Sequence, residues 1–167
     1  AARDGGGAGQ NPCAKLDVVV SMDNSGSSLA YSGAIAEALP RFVANLEAAG
    51  VDYRVGVTSS DTAKENGAFL KTRGATAAPG CSPGPDRPWI ERADGVDAGA
   101  FLACRAGLGN SGANDERPIE AALQSVTARV ADGTNTRAGE SFLRPDANLA
   151  LLLVTDGDEG GRDALPP

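Results

Sequence analysis

Two short apolar segments, residues 16–22 and 149–155, constrain the fold of this chain more than any other feature of its sequence. Both consist mainly of valine or leucine and have the length of a single strand, which is typical of strands buried on both faces of a parallel sheet. An acidic loop follows each segment at once, beginning at Asp23 in the first case and at Asp156 in the second. Because parallel strands end at a common sheet edge, we expect the two aspartates to lie close together.

The chain after the first segment predicts a helix and a further strand. Apolar residues spaced three and four apart indicate a helix over residues 35–46, which Gly50 ends and Pro40 is expected to kink. Alternating apolar residues predict a strand over residues 53–58, and residues 67–72 are expected to add a short strand beside it.

A second helix is expected to begin at Pro118 and to end at Gly133, and one or two helical turns are expected at 98–106. The apolar face of the second helix comprises Ile119, Ala122, Leu123, Val126 and Val130. Strands alternating with helices predict a doubly wound α/β fold with a mainly parallel sheet and helices on both faces.

The domain organisation is simple. Residues 1–14 are rich in glycine and polar residues, and we interpret them as a flexible leader before one domain over residues 15–167. Residues 74–116 form a long insert with little periodicity, and an insert of that size is usually functional or tied down. Within it, Trp89 and Phe101 could belong to a recognition surface, but a tryptophan in an irregular loop more often pins the loop to its domain.

Composition excludes several classes of function. The net charge of −7 and a pI near 4.5 argue against binding to nucleic acid or to anionic membranes. The chain has no histidine, which excludes a Ser-His-Asp triad and a histidine-ligated zinc site. Its three cysteines lack metal-ligand spacing, and no apolar run is long enough for a membrane span. The remaining chemistry is that of carboxylates, hydroxyls and the hard cations they hold.

The first acidic loop carries a pattern of alternate oxygen ligands, Asp23, Ser25 and Ser27. On a tight loop these side chains can converge on one point, and such a set suits Mg²⁺, which prefers oxygen ligands and keeps some of its water. Hydroxyl ligands are neutral, so the ion would attract a carboxylate from another molecule. The alternative is that the loop is only a turn that caps the next helix.

Several segments resemble the von Willebrand factor A (VWA) family, and in particular a bacterial envelope subgroup. Residues 18–27 resemble the first loop of the family's metal-ion-dependent adhesion site, and residues 151–156 resemble the strand that brings its second aspartate. Further marks of the subgroup are residues 52–57, the insert with Cys81 and Cys104, and residues 116–122 and 142–147. The resemblance extends over most of the chain from Lys15 to Glu159.

The resemblance implies a protein-binding module for adhesion or assembly that holds Mg²⁺, with Mn²⁺ or Ca²⁺ as alternatives, and engages a carboxylate of its partner. The implied ligands are Asp23, Ser25, Ser27 and Asp156, with the aspartates acting directly or through water. The family's usual threonine on the second site loop is missing from residues 106–113, and Ser111 is the nearest substitute. The alternative is a structural assembly domain whose metal site is vestigial.

Enzyme alternatives find less support in the sequence, and we expect no catalytic site. A haloacid-dehalogenase-type phosphatase needs a second carboxylate where this chain has Ser25, a nucleophile elbow needs a glycine where it has Asp23, and no P-loop is present. Residues 156–163 faintly resemble a calcium loop but lack its final glutamate. We therefore interpret Asp158 and Glu159 as a solvated acidic rim.

The insert of the resembling subgroup leads us to expect a disulfide between Cys81 and Cys104. Such a bond implies an oxidising location, which for this subgroup means the periplasm, the cell surface or the extracellular space. The alternative is two free thiols in a cytosolic protein. Cys13 is left over and is expected to pair with a cysteine elsewhere.

The resemblance also implies further strands and helices after the strand that carries Asp156, yet only eleven residues follow Asp156. The strand at residues 149–155 is too apolar for an uncovered edge. We expect a second segment or another chain to lie against it, and we favour a separate segment of the same precursor.

Overall fold

The computed structural model describes residues 14–157. The leader before Ala14, Cys13, Asp158 and Glu159 lie outside the described residues. The elements in chain order are β1 (Lys15–Met22), α1 (Leu29–Ala48), β2 (Asp52–Ser59), β3 (Ile90–Glu91), α2 (Ala98–Ala106), α3 (Pro118–Val126), α4 (Ala128–Ala131), β4 (Thr136–Arg137), β5 (Glu140–Ser141) and β6 (Asn148–Val154). A short 3₁₀ segment, Arg92–Asp97, precedes α2.

The main sheet has four strands in the order β3-β2-β1-β6. β1 pairs in parallel with β2 and β6, so that Val20 lies opposite Val57 on one side and Leu152 on the other. β3 is antiparallel to β2, and β4 and β5 form a separate small hairpin. The predicted α/β class with a mainly parallel sheet is confirmed.

The two faces of β1 bury different clusters because successive side chains of a strand point to opposite faces. The larger cluster joins β1 and β2 to α1 and α2, and includes Val18, Val20, Met22, Leu39, Val43, Val55 and Leu102. The smaller cluster lies on the face of Val19 and comprises Phe69, Trp89, Phe142 and Ala122 of α3. This double burial explains the unbroken apolar run of β1.

Several predicted elements differ in detail from the structure. α1 is longer than predicted and includes Pro40, as expected, and Gly99 of α2 packs so closely there that a Cβ on it would lie 2.7 Å from the Pro40 Cα. Residues 67–72 are not a strand, because only the Leu70 N–H bonds to a β2 carbonyl, that of Val57. The helix predicted from Pro118 to Gly133 breaks at Thr127, whose backbone leaves the helical region.

The apolar face predicted for the second helix was wrong in part. Ala122 is buried, but Ile119 and Leu123 are each more than half exposed. α3 instead buries small residues, Ala121, Ala122 and Ser125, against the sheet. Small side chains allow a close approach, which turns the larger ones outward.

The insert at 74–116 is held by a covalent tie and by a buried arginine. The predicted Cys81–Cys104 disulfide is present, and it joins the loop to α2. The helix α2 itself confirms the helical turns expected at residues 98–106. Arg105, only 1% exposed, donates hydrogen bonds of 2.7 to 3.1 Å to the carbonyls of Pro83, Pro85, Arg87 and Leu70. Burial, together with the charge of the nearby Arg87, lowers the pKa of Arg105 to about 10.

Trp89 pins the insert to the domain. Its ring is fully buried, and the guanidinium carbons of Arg54 and Arg137 lie 4.9 and 5.2 Å from the ring centroid. The indole Nε1 donates to Glu91 at 3.0 Å. Burial raises the pKa of Glu91, but the Trp89 and Arg137 hydrogen bonds and nearby cations outweigh it, so that the pKa lies below its usual value. Two cations over a buried indole help to fix its position, and the structural interpretation of Trp89 is confirmed.

β6 is an edge strand of the sheet within the described residues, and it is unusually apolar for one. Its four leucines, Leu149, Leu151, Leu152 and Leu153, are 39 to 48% exposed. α3 contacts β6, and its Ile119 and Leu123 are also exposed. Among the helices of the described residues, none combines the length and apolar character needed to cross a bilayer.

Candidate metal centre

The carboxyl ends of β1 and β6 meet at one edge of the sheet. Asp23 follows β1 directly, and its backbone N–H donates to the Val154 carbonyl at 2.8 Å, which extends the pairing of the two strands by one residue. Asp156 therefore lies beside the loop that begins at Asp23. The topology thus brings together the two aspartates that the sequence pattern indicated.

Hydrogen bonds link the two serines of the first loop to Asp156. The Ser25 and Ser27 hydroxyl oxygens lie 3.1 Å apart, and the Ser27 hydroxyl donates to Asp156 Oδ1 at 3.0 Å. The Ser25 N–H donates to Asp23 Oδ1 at 2.6 Å, so that this aspartate closes its own tight turn. Four of the five predicted ligands are therefore neighbours.

A third carboxylate completes the cluster. Glu116 lies two residues before α3, and one carboxylate oxygen each of Asp23, Glu116 and Asp156 lie within 4.8 Å of one another. The Thr155 hydroxyl donates to Glu116 Oε2 at 2.6 Å. A Cβ on Gly157 would lie 2.6 Å from the same oxygen, so the bare backbone of Gly157 makes room for this carboxylate.

Tyr31 fixes the innermost carboxylate. It lies in the first turn of α1, and its hydroxyl donates to Oδ2 of Asp23, which is only 2% exposed. Burial, the hydrogen bond to Asp23 and the charges of the three carboxylates all raise the pKa of Tyr31. Tyr31 therefore keeps its proton and remains a donor at any ordinary pH.

Ser111 belongs to a second loop that is tied to the first by hydrogen bonds. The Gly112 N–H donates to the Asn24 carbonyl at 2.8 Å, and the Ser28 hydroxyl donates to the Gly109 carbonyl at 3.1 Å. Ser111 itself is exposed and lines a separate polar cavity together with Asn24. In the range 14–157, no hydrogen bond joins Ser111 to the other four predicted ligands.

The arrangement is suited to a hard divalent cation. Three carboxylates and two hydroxyls supply oxygen atoms, the ligand type that Mg²⁺ and Ca²⁺ prefer. Like charges this close repel one another, and a cation between them would remove that repulsion. The cluster could therefore hold a metal ion.

Sequence reasoning missed Glu116, Tyr31 and Thr155. Tyr31 lies four residues after Ser27 and Thr155 directly precedes Asp156, so their proximity to the site was a usable signal. The sequence signal for Glu116 was weaker, because the position of this residue depends on how α3 packs against the sheet. No family model, no curated protein and no solved structure matches the chain.

Proposed function

We propose that this chain is a VWA-type protein-binding domain, with doubly wound architecture, that holds Mg²⁺ and uses the ion to engage a carboxylate of a partner protein. The observation that carries the proposal is the convergence of Asp23, Glu116 and Asp156 with two serine hydroxyls at the carboxyl edge of the sheet. Ligand binding at that edge is the rule for open α/β sheets.

The hydrogen bonds around the cluster suggest how the oxygens divide their roles. Asp23 already accepts hydrogen bonds from the Tyr31 hydroxyl and the Ser25 N–H. We therefore expect Asp23 to contact the ion through a bridging water rather than directly. Ser25, Ser27 and Asp156 are the candidates for direct ligands. We assign to Glu116 the ligand role for which the sequence offered Ser111.

A partner carboxylate would complete the coordination of the ion. Two of the proposed direct ligands are neutral hydroxyls, which leaves the ion able to attract an anionic oxygen. The rival is a structural assembly domain in which the same residues only hold the loops together. The two differ in a single measurable property, which is the affinity for a divalent cation.

Isothermal titration calorimetry of the purified chain with Mg²⁺, and in parallel with Mn²⁺ and Ca²⁺, tests the proposal. We expect one binding site in the native chain and its loss in Asp23→Ala, while Asp86→Ala in the insert retains it. A native chain that binds none of the three ions would leave the structural rival standing. Turnover on a panel of phosphate and ester substrates would instead indicate an enzyme.

The proposal includes a location and a second contact. The Cys81–Cys104 disulfide favours an oxidising compartment, and we propose the cell envelope or the extracellular space. The exposed leucines of β6 suggest that a strand from another segment or chain pairs along this edge of the sheet. We expect that strand to be apolar on both of its faces.

A further inference from the structure

A polar cavity of about 260 Å³ lies against the first loop, next to the residue that follows Asp23 of the candidate metal centre. Asn24, which directly follows Asp23, lines it together with Ser111 of the second loop. The remaining wall comes from the segment after β2 and from α2. The cavity and the metal centre therefore share the loop that begins at Asp23.

The cavity is positively charged in a protein of net charge −7. The charged side chains that line it are Lys64, Arg73, Arg105 and Glu65, which are three cations against one carboxylate. Glu65 is already engaged, because it accepts a hydrogen bond of 2.6 Å from Ser59 and pairs with Lys64 at 3.3 Å. Arg73 donates to the carbonyls of Ala77 and Ala78, which are uncharged and leave its positive charge uncompensated.

Asn24 contributes a buried polar side chain to the wall. The residue is 4% exposed, and its Oδ1 atom has no hydrogen-bond partner among the described residues. This atom packs against the second loop, since a Cβ on Gly112 would lie 2.1 Å from it. Recognition of a ligand therefore depends on the charge of the cavity wall, and an acidic residue supplies the negative charge that the cations favour.

We propose that this cavity receives a second carboxylate from the partner segment whose first carboxylate binds the metal ion. The inference rests on the proposed function and adds to it the chemistry of the partner, which is a peptide with two acidic residues a short distance apart. Lys64 and Arg73 are the cations that select the second acidic residue. Both are exposed enough to meet a ligand.

The test uses synthetic peptides in which two glutamates are separated by one to four glycines, each matched to a peptide with glutamine as its second acidic position. The Mg²⁺-loaded, ¹⁵N-labelled chain is titrated with each peptide at low ionic strength and followed by NMR. We expect the two-glutamate peptide of one spacing to bind about three- to tenfold more tightly than its match, with shifts at Arg73 and Ser111.

A double variant, Lys64→Gln with Arg73→Gln, should lose this advantage while its calorimetric Mg²⁺ affinity stays unchanged. Lys71→Gln is the control, because Lys71 is exposed on the same segment but does not line the cavity. Equal binding of the matched peptides at every spacing, or an advantage that survives in the double variant, overturns the inference alone. Absence of Mg²⁺ binding in the native chain, or binding of neither peptide, overturns the proposed function and the inference with it.

Discussion

Glu116 decides the charge of the candidate metal centre. Its carboxylate lies with those of Asp23 and Asp156. If a serine hydroxyl took its place, the site would carry one negative charge fewer. A third carboxylate strengthens the attraction for a divalent cation, but it also reduces the positive charge that the bound ion presents to a partner. The two effects oppose each other, so one substitution should move the two affinities in opposite directions.

We expect Glu116→Gln to lower the Mg²⁺ affinity at least about tenfold, as measured by calorimetry. At saturating Mg²⁺ the same variant should bind a glutamate-containing peptide more tightly than the native chain does. Glu120→Gln serves as the control, since Glu120 pairs with Arg117 rather than with the cluster. A Glu116→Gln chain with native Mg²⁺ affinity would show that Glu116 is not a ligand.

The sequence could place Asp23, Ser25, Ser27 and Asp156 because each follows a strand whose apolar pattern is unambiguous, and strand ends define the sheet edge. Ser111 could not be judged in the same way, since its orientation depends on the hydrogen bonds of Gly112 and Ser28 between two loops. Glu116 reaches the site through tertiary packing of α3, which no local pattern encodes.

At the scale of elements, Arg105 organises the insert. Four backbone carbonyls of the insert and of the segment before it accept hydrogen bonds from this one buried guanidinium. Residues 74–89 hold no helix or strand, so their carbonyls have few backbone partners. The arginine takes the place of a regular element, and the neighbouring Cys104 adds a covalent tie on the same helix.

We expect Arg105→Met to destabilise the protein by about 3 kcal/mol, because methionine retains the bulk of the side chain but leaves buried carbonyls without donors. Urea unfolding followed by circular dichroism measures the change. The exposed Arg41 of α1 offers the control Arg41→Met, for which we expect less than about 0.5 kcal/mol. An equal effect of the two substitutions would contradict the role assigned to Arg105.

Long periodic elements were predicted from sequence more reliably than short or interrupted ones. β1, β2, β6 and α1 carry clear patterns, and the structure has them. The break at Thr127 and the irregular path of residues 67–72 follow from packing, since Gly67 is pressed against α3 so closely that a Cβ on it would lie 2.6 Å from the Ser125 nitrogen. Such a contact is set by tertiary structure rather than by local propensity.

At the scale of the whole molecule, the outer edge of β6 should govern solution behaviour. Within residues 14–157, no strand pairs with this edge, and an edge that carries exposed leucines promotes association. We expect residues 1–167 expressed alone to associate with rising concentration, as measured by light scattering after size-exclusion chromatography.

Leu151→Lys should reduce this association several-fold, because a charge on the edge opposes strand pairing. Val96→Lys is the matched control, since Val96 is fully exposed on the 3₁₀ segment rather than on the sheet. A native chain that remains monomeric at every concentration would contradict the expectation, as would an equal effect of both substitutions.

The central position of β1 also sets the order in which a newly made chain can mature. β2 follows β1 after one helix, so this pair can form while most of the polypeptide is still being synthesised. Val20 meets Leu152 only after the whole insert has been made, and such distant pairings form late. Asp156 comes after that strand, so any ion held by the cluster could bind only once β6 has paired with β1. Such an ion would bind the assembled sheet and not the β1–β2 pair alone.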